Sequence, residues 1–239
     1  MVNRHNVIVF EGGGQAGLAQ ETPKPAHAGI GRDALRTYGR LLRDRPYALT
    51  VLGYAAYTFA LGGLAYWMPA FLVRTRGLSL SEATVNFGTI VVITGFVGTF
   101  VGGWMGDYFA KNARTGYLWL SAIATLLAAP FVWLALTTAS TTFYTVYMVI
   151  AQLLLFLSTG PINAAIVNLV IASERATAIA LSVFAIHVLG DALSPLIIGL
   201  ISDASSLQQG VKILPVAVLI GGFVWIWAAR AQAASKPTG

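Results

Sequence analysis

Six long apolar runs, separated by short polar breaks, organise this chain, and their lengths predict the elements. A helix needs about 20 apolar residues to cross a bilayer. Residues 47–73 and 83–106 each meet that length without a charge. From Thr115 to Ser173 no charged residue occurs, too long a stretch for one helix. The small polar segment at 137–142 divides it into spans near 116–136 and 143–172. The fifth run covers 176–202 and the sixth 211–229. Ahead of them, Leu35, Tyr38 and Leu42 recur at helical spacing among Arg36, Arg40 and Arg43. That pattern predicts an amphipathic helix over 32–46, lying on a membrane surface.

Composition supports this reading. The 239 residues are 56% hydrophobic and 10% charged, against about 25% charged in an ordinary soluble domain, and mean hydropathy is +0.72. The net charge of +6 forms no stripe of the kind a nucleic acid would need. It sorts by side instead. Twelve of fifteen Lys and Arg fall on the side of the termini: those of the N-terminal tail, Lys111, Arg114, Arg175, Arg230 and Lys236. The positive-inside rule then places both termini in the cytoplasm of a multi-pass inner or plasma membrane protein. Residues 1–31 and 231–239 are expected to be cytoplasmic tails, the first disordered, around a six-helix domain at 47–230.

The first tail contains Val7–Phe10 followed by Gly12, Gly14 and Gly17, an approximate G-x-G-x-x-G. A dinucleotide loop must open a helix, and Pro23 and Pro25 stop one almost at once. The same apolar run is too short for the core of a secretory signal. Without cysteine, disulfides and thiolate chemistry are excluded. His5 and His27 lie in the tail and no H-x-x-E spacing occurs, so neither a metal site nor any cofactor is expected.

Chemistry concentrates in the fifth span, where His187 and Asp191 stand four residues apart in otherwise apolar sequence. A carboxylate at the centre of a membrane helix costs about 2.5–3.5 kcal/mol on insertion scales, and i, i+4 spacing puts both groups on one face. The pair can bind an anion in a proton-linked way, or serve as a structural hydrogen bond. In the fourth span Gln152, Phe156, Thr159 and Asn163 share a face, blurred by the bend expected at Pro161. Intramembrane amides of this kind bond across helices or line a cavity. Gly98, Gly102 and Gly106 are spaced by four, the small-xxx-small pattern of close helix packing. Gly103-x-x-x-Asp107 and Gly199-x-x-x-Asp203 close the second and fifth spans, as a three-plus-three inverted repeat would require. Ser158 could be forced into an intramembrane serine protease reading. The usual nucleophile motif is absent, and the sole intramembrane histidine lies in the fifth span rather than the sixth, so no enzyme is expected.

Three stretches resemble spinster-like transporters of the major facilitator superfamily: Gly160 to Asn168, Arg175 to Leu181, and His187 to Asp203. Gly103-Trp-Met-Gly-Asp107 with Lys111 and Arg114 is similar to the superfamily's cytoplasmic loop signature. The resemblance implies an all-α fold in which these six helices form the C-terminal half of twelve, alternating access around a midplane cavity. It further implies an amphiphilic anionic substrate such as a lysolipid, often with proton coupling. Carried over by position, His187 would face the cavity and donate to an anionic headgroup, with Asp191 positioning it. Asn163, with Gln152, Thr159 and Ser194, would complete the substrate site. Gly103, Asp107, Lys111, Arg114 and Arg175 would form a conformational latch in which Asp107 pairs with Arg114.

This chain departs from the pattern in three ways. It has six spans; Tyr108 stands where the signature has a basic residue; and Glu174-Arg175 replaces paired arginines. One half supplies one wall of a cavity. The expected partners beyond the bilayer are therefore a separate N-terminal half or a second copy, the alternative being a truncated or non-transporting subunit.

Overall fold

The computed structural model describes residues 30–235, with side chains from Arg36 onward; residues 1–29 of the tail predicted at 1–31, and the last four residues, lie outside the described residues. Within it the chain is helical throughout: α1 (Ile30–Arg43), α2 (Arg45–Arg76), α3 (Leu80–Asn112), α4 (Gly116–Thr137), α5 (Thr141–Asn168), α6 (Arg175–Ile186), α7 (Leu193–Ala204), α8 (Leu207–Gly210) and α9 (Ile213–Ala234). A π turn, His187–Asp191, joins α6 to α7, so Ala172–Ala204 acts as one span. Six helices are long and apolar enough to cross a membrane.

The helices overrun the apolar runs because local caps, and not the hydrocarbon edge, end them. Asp44 starts α2 by accepting the Tyr47 N–H at 2.9 Å, with Pro46 in the first turn. Gly77, at φ 68°, closes it in the left-handed conformation. Ser79 and Glu82 make a reciprocal capping box that begins α3. Helix α9 continues past Arg230 to Ala234.

α2, α9, α4 and α5 form a ring of neighbours, with α3 packed outside on α5 and the Ala172–Ala204 span outside on α2. Trp225 of α9 is fully buried and donates to the Thr50 carbonyl of α2 at 3.0 Å. The Tyr57 hydroxyl, also buried, donates to Leu155 O of α5 at 2.7 Å. These bonds satisfy polar groups that lipid could not. α3 and the fifth span are the least buried of the six.

The face shared by α3 and α5 is built from glycine and proline. Pro161 has no N–H to give Leu157 O, four residues earlier. That carbonyl instead meets Gly102: a Cβ there would lie 2.0 Å from Leu157 O. Gly98 approaches Leu153 O and Gly106 approaches the Pro161 ring in the same way. The freed carbonyl is thus covered by the backbone of α3, and α5 stays helical through Pro161.

At the face where α2 begins and α9 ends, α1 is strapped across the bundle. Leu41 is buried in the core, and Arg40 forms an ion pair with Glu174, just before α6. Half-exposed pairs contribute on the order of 1 kcal/mol. Replacing Arg40 with Gln should therefore loosen α1 and raise tryptic cleavage at Arg36 and Arg43 several-fold, with Glu174→Gln doing the same. Unchanged cleavage in both would show that Leu41 alone holds the helix.

Candidate substrate groove and the family of the chain

His187 and Asp191 meet midway along the fifth span. His187 Nδ1 lies 2.9 Å from Asp191 Oδ2 and 3.2 Å from Oδ1. With Nδ1–H donating to the carboxylate, Nε2 is left as the unused ring nitrogen. Both side chains are open to the surroundings, 62% and 39% exposed. They line a groove of ≈ 540 Å³ with Gly62, Ala65 and Tyr66 of α2, and with Ala192 and Pro195. Most of that wall is apolar, so the pair supplies its charge.

Backbone irregularity sets the pair in place. Ala192 N donates to His187 O, five residues back, at 3.1 Å. Pro195 cannot donate to Asp191 O, and the Ser194 hydroxyl bonds that carbonyl instead at 3.1 Å. The π turn packs on α2 through two glycines. A Cβ on Gly190 would lie 2.1 Å from Thr58 Oγ1, and one on Gly62 would lie 2.5 Å from Asp191 Cβ. π turns of this kind occur often at functional sites.

The other predicted site residues are placed differently. Ser194 is fully buried and spends its hydroxyl on Asp191 O. Gln152 is 1% exposed, inside the helix packing. Thr159 is half-buried and shares a hydrogen bond of 3.1 Å with Tyr57 Oη. Asn163 is exposed; its Nδ2 donates to Thr159 O at 2.8 Å and to Tyr54 Oη at 3.1 Å. It does not line the His187 groove. The tyrosines of α2 and the walls Gly62 and Tyr66 do not stand out in the sequence; a glycine pair, Gly62-Gly63, in a charge-free helix is the available signal.

Of the predicted latch, Asp107 accepts from Tyr117 Oη at 2.8 Å and not from Arg114. Arg114 lies instead in a small crevice with Asp44 and Gln232. Lys111 and Arg175 form no ion pair among the described residues, and a Cβ on Gly103 would meet nothing within 4 Å. Ser158, the one forced nucleophile, is buried and hydrogen-bonded to Ser121 O and Thr125 Oγ1 on α4.

Residues 11–195 match the Major Facilitator Superfamily model. Protein spinster homolog 3 of Danio rerio is 32% identical over 212 residues, covering 78% of this chain and 43% of that protein. The sphingosine-1-phosphate transporter SPNS2 of Mus musculus is 30% identical over 218 residues, covering 80% and 40%. A solved bacterial homologue of the human lysosomal transporter Spinster, inward-facing and unoccupied, superposes with a TM-score of 0.76 at 22% identity. That match covers 87% of this chain and 52% of that one, so the six helices span about half the length of the solved relative. The chain belongs to the Major Facilitator Superfamily, as a spinster-like six-helix half.

Proposed function

We propose that this chain is the C-terminal half of a proton-linked secondary transporter for amphiphilic anions such as lysolipids. The observation that carries the reading is the His187–Asp191 pair, at 2.9 Å in an open, otherwise apolar groove midway along a span. An apolar wall suits an acyl chain, and an imidazole that can gain a proton suits an anionic headgroup. Intramembrane ionisable residues mark such pathways by default. The names of relatives, which include sphingolipid and sphingosine-1-phosphate transporters, support the substrate class. In this reading the face of both chain ends is cytoplasmic, Asn163 extends the cavity wall from α5, and Asp191 positions His187. A second six-helix body, a separate N-terminal half or another copy, supplies the facing wall.

The test is uptake of a fluorescent anionic lysophospholipid into proteoliposomes under a pH gradient. The chain is reconstituted alone and with a spinster-type N-terminal half. Uptake only in the combined vesicles is the expected result. Uptake by the chain alone would overturn the need for a second body. No uptake by folded protein in either arm would overturn the amphiphilic-anion assignment.

A further inference from the structure

Beside His187 and Asp191, the groove wall carries one further polar side chain. Tyr66 of α2 lines it and is 63% exposed; the rest of the lining is glycine, alanine and proline. The Tyr66 hydroxyl makes no hydrogen bond among the described residues. Those of Tyr47, Tyr57 and Tyr117, by contrast, donate to Ala178 O, Leu155 O and Asp107 Oδ1.

A neighbour holds Tyr66 in the wall. Its ring packs edge-on against Trp67, with centroids 5.2 Å apart. Trp67 donates its indole N–H to Pro195 O at 3.3 Å, and a Cβ on Gly199 would lie 3.5 Å from its Cζ2. Trp67 thus ties α2 to α7, and the tie fixes the helix surface that presents Tyr66.

Depth makes the unspent hydroxyl informative. Tyr66 stands ten residues inside the Arg76 end of α2, about 15 Å at the helical rise. Tyrosines that anchor membrane helices do so at headgroup level, and lipid tails offer a hydroxyl no partner. The contents of the groove, water or ligand, are what remains to bond it. Spacing from the charged pair narrows the ligand. Gly62 abuts Asp191, and Tyr66 follows one turn on, about 6 Å along α2. A ligand whose anionic headgroup engages His187 brings the atoms next to that headgroup beneath the tyrosine. In a monoacyl phospholipid those atoms are the backbone carbons with their free hydroxyl.

We propose that Tyr66 is a specificity-determining residue whose hydroxyl bonds a free hydroxyl on the substrate backbone, beside the anionic headgroup. It thereby selects hydroxylated monoacyl phosphates over plain acyl or alkyl phosphates. The inference rests on the amphiphilic-anion reading of the groove and adds a part of the substrate that this reading leaves open.

The test compares the binding of two lipids to the full chain, assembled with a spinster-type N-terminal half in nanodiscs. They are oleoyl lysophosphatidate and its deoxy analogue, which lacks only the backbone hydroxyl. The parent should bind the hydroxylated lipid about fivefold more tightly, the factor that one net hydrogen bond contributes. Tyr66→Phe keeps the ring against Trp67 and should erase that preference. His187→Asn should weaken both lipids and preserve the preference. Equal affinity of the parent for the two lipids, or a preference that survives Tyr66→Phe, would overturn the role of Tyr66 and leave the amphiphilic-anion reading standing. Binding of neither lipid to the folded parent would overturn both.

Discussion

Replacing Asp191 with Asn should abolish pH-gradient-dependent uptake, by tenfold or more, in vesicles that contain the complete transporter, without lowering expression. The substitution keeps the side chain's shape against Gly62 and its ability to accept from His187, and removes only the charge. Asp191 sits in an apolar groove 2.9 Å from the imidazole. The carboxylate is therefore the negative charge that faces the ring within the groove. Without it the groove keeps the imidazole and loses its negative charge. Headgroup recognition should then become independent of the gradient. Uptake that keeps its pH dependence in Asp191→Asn would leave the pair a structural hydrogen bond, with the proton handled elsewhere.

The second large effect is steric and concerns the fold. Gly102→Ala should destabilise the protein by about 1–3 kcal/mol, and Gly102→Leu should yield no monodisperse six-helix body in detergent. Its Cβ would be placed 2.0 Å from Leu157 O, backbone against which no side-chain rotation gives relief. One position along, a methyl group on Gly103 would meet nothing within 4 Å. Gly103→Ala should therefore be neutral or slightly stabilising, since alanine is the better helix former by about 1 kcal/mol. Thermal unfolding of the pair of variants separates packing from propensity. Equal melting temperatures for Gly102→Ala and Gly103→Ala would contradict the close α3–α5 approach.

The same contact separates what is local from what is not. The glycine spacing is readable along the chain, and so is the proline; that Gly102 covers the carbonyl which Pro161 leaves free is not. That contact joins residues far apart in sequence, and no local pattern encodes which carbonyl a glycine will meet. The start of α3 is a different case. Hydropathy places it near Ala83, whereas the capping box of Ser79 and Glu82, itself a sequence pattern, places it at Leu80. Pro195 likewise announces an unpaired carbonyl at Asp191, while its repair by Ser194 needs the folded chain.

Charged groups are the least legible. Arg114 with Asp107 is the pairing that proximity in sequence favours, yet a tyrosine ten residues on takes Asp107. Arg40 finds Glu174, far along the chain, because α1 folds back over the start of α6. Gln152 shares a helical face with Asn163 in projection, but Gln152 is enclosed by the packing and Asn163 is exposed.

By itself, then, the sequence determined the number of spans, the side bias of the basic residues, and the i, i+4 meeting of His187 and Asp191. All three follow from hydropathy and helical period, which are local. Only the tertiary structure decided that the pair opens into a groove walled by α2, that Ser194 and Gln152 are enclosed, and which partner each terminal-face charge takes. Those outcomes depend on how helix surfaces fit together, where a missing Cβ at Gly62, Gly102 or Gly190 sets the approach and the approach sets the neighbours.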